Sequence, residues 1–309
     1  MPDSVYIGRF APSPTGPLHL GSLFTALASF LDARAHHGRW LVRMEDLDPP
    51  REMAGAADNI LRTLDHYGLH WDGDVWFQSS RHSIYEDTVQ QLLKMGAAFY
   101  CTCSRRDLQL LSADSYPGTC RGHHSPPLEP AAIRVQVNDH PVRFNDALQG
   151  LCEFNLHREG GDFIIKRKDG LYAYHLAVVV DDAAQDITHI VRGVDLLDST
   201  PRHIFLQRLL QLPALQYAHL PVLVNEQGQK LSKQTFAAPV PLDNPAPWLF
   251  ECLCALGQQP PPDLRQAGRD EVLAWGVQHW SLAQVPRGQA IAAATLCTAT
   301  PAHVTSGET

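Results

Sequence analysis

The stretch from Gly8 to Gly21, G-R-F-A-P-S-P-T-G-P-L-H-L-G, constrains the fold more than any other part of the chain. Val5, Tyr6, Ile7 and Phe10 are β-branched or aromatic and predict that the chain enters as a buried strand. Pro12, Pro14, Gly16 and Pro17 then forbid helix and fix a stiff turn. After Gly21, Leu23, Ala26, Leu27, Phe30 and Leu31 recur at the spacing of an amphipathic helix. Strand, rigid turn and helix together aim free backbone N–H groups and a positive dipole end at an anion. Neither G-x-x-x-x-G-K-[ST] nor G-x-G-x-x-G is present, so the two best-known phosphate loops do not apply. In their place His19 and Gly21 stand at the mouth of the helix, with Arg9 and Ser13 just before it.

The alternation continues. Trp40–Met44 reads as a second strand. Ala57, Ile60, Leu61, Leu64 and Tyr67 keep helical spacing up to Gly68, as do Tyr85, Val89, Leu92 and Leu93 up to Gly96. Strands alternating with helices predict a doubly wound α/β domain on a parallel sheet. Ligands in such sheets sit at the carboxyl ends of the strands, where residues 11–21 and Glu45 fall.

Further on, Ile133, Val135 and Val137, then Val142 and Phe144, predict short strands joined by Asn138–Asp139 as a hairpin-like turn. Lys166, Arg167 and Lys168 form a basic cluster, read either as a solvated face or as a contact for RNA backbone. Tyr172 and Tyr174 precede the buried run Leu176–Val180, and Arg192–Gly193 ends a strand. Ser199-Thr200-Pro201 is a reasonable cap for the next helix. His219–Val224 returns as a strand, and Gly228 turns the chain into Lys230 and Lys233. Past residue 238 prolines divide the chain into short pieces, with small helices at Trp248–Leu256 and Glu271–Trp280 and a frayed tail over 298–309.

Of the 309 residues, 44% are hydrophobic and 19% charged, the balance of a globular protein with ample core. No run of about 18 apolar residues exists to span a membrane, and the N-terminus lacks a secretory pattern. Seven cysteines, an odd number without framework spacing, favour reducing cytoplasm and a metal site over disulfides. Cys101, Cys103 and Cys120 offer three corners of a zinc tetrahedron, with Tyr116, His123 and His124 all within reach of the fourth. A net charge of −8 is the wrong sign for an obvious nucleic-acid binder and predicts weak, salt-sensitive binding through a local basic patch.

The opening motif R-F-A-P-S-P-T-G-P-L-H-L-G resembles the first signature of class I aminoacyl-tRNA synthetases of the glutamyl/glutaminyl branch. L-V-R-M-E-D-L-D-P-P-R (41–51), L-A-V-V-V-D-D (176–182), I-T-H-I-V-R-G (187–193) and D-S-T-P (198–201) are similar to the same family in the same order. K-L-S-K-Q (230–234) resembles its second, lysine-bearing signature. The resemblance implies a Rossmann-like catalytic domain that activates glutamate with ATP to glutamyl-adenylate, with Mg2+ bound through the nucleotide. It implies catalytic His19, Gly21, Lys230 and Lys233, with His19, Gly21 and Lys233 on ATP, and a glutamate pocket of Arg9, Phe10, Ala11, Pro12, Ser13, Glu45, Tyr174 and Arg192. The chemistry agrees: two guanidiniums suit two carboxylates, and one carboxylate suits one ammonium.

Tyr116-x-x-x-Cys120 after Cys101-x-Cys103 is similar to a short branch of glutamyl synthetases, which implies Tyr116 as fourth ligand of one structural zinc. That branch passes glutamate to the queuosine base at the wobble position of tRNA(Asp), which implies recognition of the anticodon stem-loop. The chain departs from the conventional enzyme at Gly193-Val194-Asp195-Leu196, where Gly-Glu-Asp-His is expected, and it ends at Thr309, too soon after Gln234 for an anticodon-binding domain. The organisation expected is a first catalytic half over 1–100, an inserted zinc-bearing subdomain over 101–170, a second half with the lysine loop over 171–238, and a short helical part over 239–309. The alternative is a truncated glutamyl-tRNA synthetase charging a tRNA 3′ end.

Overall fold

The strand–helix alternation is carried into the computed structural model, which describes residues 5–110, 115–231 and 238–293. Its strands are β1 (Ile7–Phe10), β2 (Arg39–Met44), β3 (Trp76–Phe77), β4 (Ala98–Cys101), β5 (Ala132–Val135), β6 (Val142–Asp146), β7 (Gly150–Phe154), β8 (Phe163–Lys166), β9 (His189–Gly193), β10 (Gln216–Leu220), β11 (Val222–Val224) and β12 (Ala290–Ala292). Its helices are α1 (Leu20–Ala35), α2 (Ala56–His66), α3 (His82–Lys94), α4 (Arg105–Leu110), α5 (Tyr174–Ala184), α6 (Thr200–Leu209), α7 (Pro245–Ala255) and α8 (Arg269–His279).

Parallel ladders join β1 to β2 and β2 to β3. A second parallel set joins β9 to β10 and β10 to β6, with β7 added antiparallel at the edge. The two sets meet at β1 and β9. There the Thr188 backbone N–H donates to Ile7 O, and the Ile7 N–H donates to Thr188 Oγ1, each at 2.9 Å. The order β3-β2-β1, then β9-β10-β6, reverses its winding at that seam, which is where a doubly wound sheet leaves a crevice for ligand.

Strand alternation sends side chains to two cores. Trp40, Val42 and Met44 of β2 point to the side covered by α1, α2, α7 and α8, whereas Leu41 points to the side covered by α3, α5 and α6. The stripe read from the sequence on α1 is fully used: Leu23, Ala26, Leu27, Phe30 and Leu31 are all buried. Each such large side chain contributes about 1.5–3 kcal/mol. The C-terminal helices close over α1. Gly276 of α8 allows the approach, since a Cβ there would stand 3.1 Å from Leu31, and Trp280 Nε1 donates to Asp32 at 2.8 Å.

Three local expectations need correction. The hairpin through Asn138–Asp139 is not formed: β5 pairs with β4 and β8, while β6 pairs with β7 and β10 in another sheet. Asn138 does close a turn, its Oδ1 accepting from His140 N at 3.1 Å, but the turn links two sheets. Period-two alternation reports which face is buried and leaves the partner strand open. Ser199 makes no capping bond, because a 3-10 helix over Val194–Ser199 runs directly into α6 and holds it near helical angles, φ −82° and ψ −27°. The strand expected over His219–Val224 is divided at Pro221, which has no N–H for the ladder, into β10 and β11. Lys233 and the tail over 298–309 lie outside the described residues.

Candidate active site

A cleft of about 970 Å³ opens at the ends of β1 and β9. Its lining brings together Arg9, Phe10, Ala11, Pro12, Ser13, His19, Gly21, Glu45, Tyr174, Arg192 and Lys230, every candidate residue for the cleft that is described. Backbone hydrogen bonds explain the convergence. The Glu45 N–H at the end of β2 donates to Pro12 O at 3.0 Å, which ties the acidic segment to the proline turn. His19 is the N-cap of α1: its carbonyl accepts from Ser22 and Leu23, and its Nδ1 lies 3.3 Å from Ser22 N. A Cβ on Gly21 would meet the His19 ring and Leu231 O at 3.2 Å, so glycine lets the lysine loop approach the helix mouth. On that loop exposed Lys230 reaches Asp195 at 2.5 Å.

One wall of the cleft is a buried charge network. Arg9 Nε donates to Asp182 Oδ1 at 3.2 Å, and Arg43 NH2 donates to the same oxygen at 2.8 Å. Burial alone would raise Asp182, but Arg9 and Arg43 outweigh it and hold the carboxyl below its usual value. Asp181, also fully buried, takes bonds from Gln78, Arg81 and Tyr85. Among the described residues Glu45 pairs with Arg43 alone, at 3.8 Å. Burial pushes it up to about 7, against the pull of Arg43, Arg9 and Arg192. The sequence motifs contain Asp181, Asp182 and Arg43 but assign them no role. Their signal was available, since two carboxylates closing the apolar run L-A-V-V-V must be paired once buried.

Arg192, also in the lining, is held differently. Its Nε donates to His219 Nε2 at 3.1 Å, NH1 to Tyr174 OH at 3.3 Å, and NH2 to Thr200 Oγ1 at 2.7 Å. Helix α5 thus serves both arginines, with Tyr174 at its start bonded to Arg192 and Asp182 near its end bonded to Arg9. The basic cluster divides: Lys166 is paired with Glu86 at 2.6 Å, while Arg167, 2.6 Å from Asp169, also lines the cleft.

Away from the cleft, the thiols of Cys101, Cys103 and Cys120 lie within 4.8 Å of one another. Sulfurs at about 2.3 Å from a tetrahedral zinc stand about 3.8 Å apart, so this cluster fits a metal ion. Tyr116 OH lies 3.5 Å from Cys101 Sγ and accepts the Cys120 N–H at 2.9 Å, whereas His123 and His124 are exposed. Burial, then the Cys120 and Cys101 sulfurs, push the Cys103 thiol up to about 12.

Residues 6–260 match the family of class I tRNA synthetases (E and Q), catalytic domain. The chain belongs to this family. Within it, the chain is similar to a Glutamyl-Q tRNA(Asp) synthetase of Pseudomonas syringae pv. tomato, with 52% identity over 293 residues, covering 94% of this chain and 98% of that one. It is 55% identical over 286 residues to a Glutamyl-Q tRNA(Asp) synthetase of Pseudomonas aeruginosa, covering 92% and 96%. Among solved structures of the family, a glutamate tRNA ligase from Elizabethkingia meningosepticum in complex with its amino acid matches with TM-score 0.79 and 26% identity. That match covers 95% of this chain and 68% of the ligase.

Proposed function

We propose that this protein activates L-glutamate with ATP, without tRNA, and transfers it to the queuosine base at the wobble position of tRNA(Asp). In the first step an oxygen of the α-carboxylate attacks the α-phosphorus and pyrophosphate leaves, giving glutamyl-adenylate. In the second a hydroxyl of the queuosine cyclopentene ring attacks the acyl carbon, loses its proton, and AMP leaves.

The observation that carries this reading is convergence: Arg9, Arg192 and Glu45 line the same cleft as His19, Gly21 and Lys230. A substrate with two carboxylates and one ammonium matches the first set. An ATP phosphate gathering charge matches the second, since the carboxylate nucleophile needs no general base and the work is positioning and charge stabilisation. The loop carrying Lys230 also carries Lys233, assigned to ATP with His19 and Gly21. Magnesium held by the phosphates supplies further positive charge when bound. Similarity over more than nine-tenths of both chains to relatives named for tRNA(Asp) supports the acceptor, an anticodon stem-loop.

Cys101, Cys103, Cys120 and Tyr116 would hold one structural zinc, since no open position for catalysis is implied by four protein ligands. The 101–170 segment is then an insertion between catalytic halves at 1–100 and 171–238, with 239–309 as a helical appendage. No helix among the described residues is long and apolar enough to cross a membrane, and a cytoplasmic location suits three neighbouring free thiols. Glutamate-dependent ATP–pyrophosphate exchange in the absence of RNA tests the activation step. Exchange that requires tRNA, or that glutamine supports equally, would overturn it.

A further inference from the structure

Behind Arg192 a buried chain of side chains runs across the strands from β9 through β10 to β6. Asp146, at the end of β6, has both oxygens committed. Oδ1 accepts backbone N–H groups from Leu148, Gln149 and His219, and Oδ2 stands 2.6 Å from His219 Nδ1. His219, on β10, is fully buried, and its Nε2 faces Arg192 Nε at 3.1 Å. Burial keeps this imidazole below its ordinary value despite Asp146, so it carries a single proton. Asp146 is held below the ordinary carboxylate range because the bonds from His219 and Gln149 outweigh its burial, so it can only accept. The proton therefore sits on Nδ1, and Nε2 offers a lone pair.

We infer that Asp146 and His219 are positioning residues for the substrate-binding guanidinium of Arg192. Asp146 fixes the His219 tautomer, the Nε2 lone pair anchors Arg192 Nε, and the guanidinium plane is set without a carboxylate touching it. This differs from Arg9, which meets Asp182 directly. Among the described residues the hydrogen-bond partners of Arg192 are His219, Tyr174, Thr200, His203 and the Leu196 carbonyl, none of them an anion. The negative charge of Asp146 is one ring away. It orients the arginine while leaving its charge for an incoming carboxylate. Thr200 completes the device, its Oγ1 accepting from Arg192 NH2 while lying 3.0 Å from His219 Nε2.

The inference rests on the proposed glutamate site, and the experiment separates the two. Asp146→Asn keeps the volume and an acceptor for the backbone N–H groups, but puts an NH₂ donor against Nδ1. That forces the proton onto Nε2, where it confronts Arg192 Nε–H. In pyrophosphate exchange, Asp146→Asn is expected to raise the KM for glutamate by about tenfold or more, the worth of one hydrogen bond to a charged group, while the KM for ATP stays at the parent value. His219→Leu, which removes the acceptor, should do the same. His219→Gln, which restores an oxygen near Nε2, should recover most of the loss. Equal glutamate KM values in all three variants, or a parallel rise for ATP, would overturn the relay while the parent's exchange leaves the glutamate site standing. If Asp146→Asn does not fold, the Leu–Gln comparison at His219 decides. Absence of glutamate-dependent exchange in the parent removes both.

Discussion

Arg9, which lines the cleft together with Arg192, forms a buried ion pair with Asp182, Nε to Oδ1 at 3.2 Å. The same Asp182 oxygen also takes Arg43 NH2 at 2.8 Å, so one carboxylate holds two guanidiniums out of water. The two arginines proposed to bind glutamate are thus mounted in opposite ways, one on an anion and one on neutral groups. Each mounting has a consequence that can be measured.

Removing the shared anion should be costly. Asp182→Asn removes the ion pair of buried Arg9 and leaves Arg43 only its longer contacts with Glu45 and Asp181, at 3.8 and 3.9 Å, and the expected loss is about 3–5 kcal/mol of unfolding free energy. Urea unfolding of parent and variant measures it. A loss below about 1 kcal/mol, the value of an exposed pair, would mean that solvent reaches this wall.

The raised pKa of Glu45 sets a pH dependence. Only its ionised form holds an ammonium, so kcat/KM for glutamate should fall as pH drops through about 7 and level off above it. Glu45→Gln, neutral throughout, should be slow and lack this inflection. For folding the sign is opposite. The folded value lies above the ordinary 4.5, so the contribution of Glu45 is complete below that pH and is lost as pH rises through about 7.

His19 has two separable jobs. His19→Asn keeps a side chain suited to capping α1 but withdraws the ring from the cleft, whereas His19→Ala loses both. Both should slow pyrophosphate exchange by on the order of 10²–10³, as for loss of one donor to a charged transition state. Only the alanine variant should also lose about 1 kcal/mol of stability. Near-parent exchange in His19→Asn would take the ring out of the chemistry.

Zinc should be integral to the fold around β4 and β5. Purified protein is expected to carry about one zinc per chain by elemental analysis, and Cys103→Ser should lower both metal content and melting temperature. Tyr116→Phe should weaken retention against a chelator. A metal-free preparation with unchanged melting would remove the zinc assignment.

What could be read from residues alone follows from what local pattern encodes. Local pattern placed the turn at 11–21 and Glu45 at the carboxyl ends of the strands, whereas Arg9, Tyr174 and Arg192 joined them only through the resemblance to the glutamyl/glutaminyl synthetases. The strands over Ile133–Phe144 were legible too, but their pairing was not, since alternation is the same whichever sheet a strand joins. The Asp146–His219 link was invisible because its members lie far apart in the chain on strands β6 and β10 that meet only in the folded sheet. At the cysteine cluster spacing left three candidates for the fourth position. The fold puts Tyr116 against Cys101 and leaves His123 and His124 on the surface.

The central claim is that a glutamyl group formed in this cleft goes to queuosine on tRNA(Asp). Incubation with ATP, labelled glutamate and an isolated tRNA(Asp) anticodon hairpin, bearing either queuosine or guanosine at the wobble position, tests it most directly. Label is predicted on the queuosine hairpin and not on the guanosine one. Label on neither hairpin, together with charging of an intact tRNA 3′ end, would contradict the account.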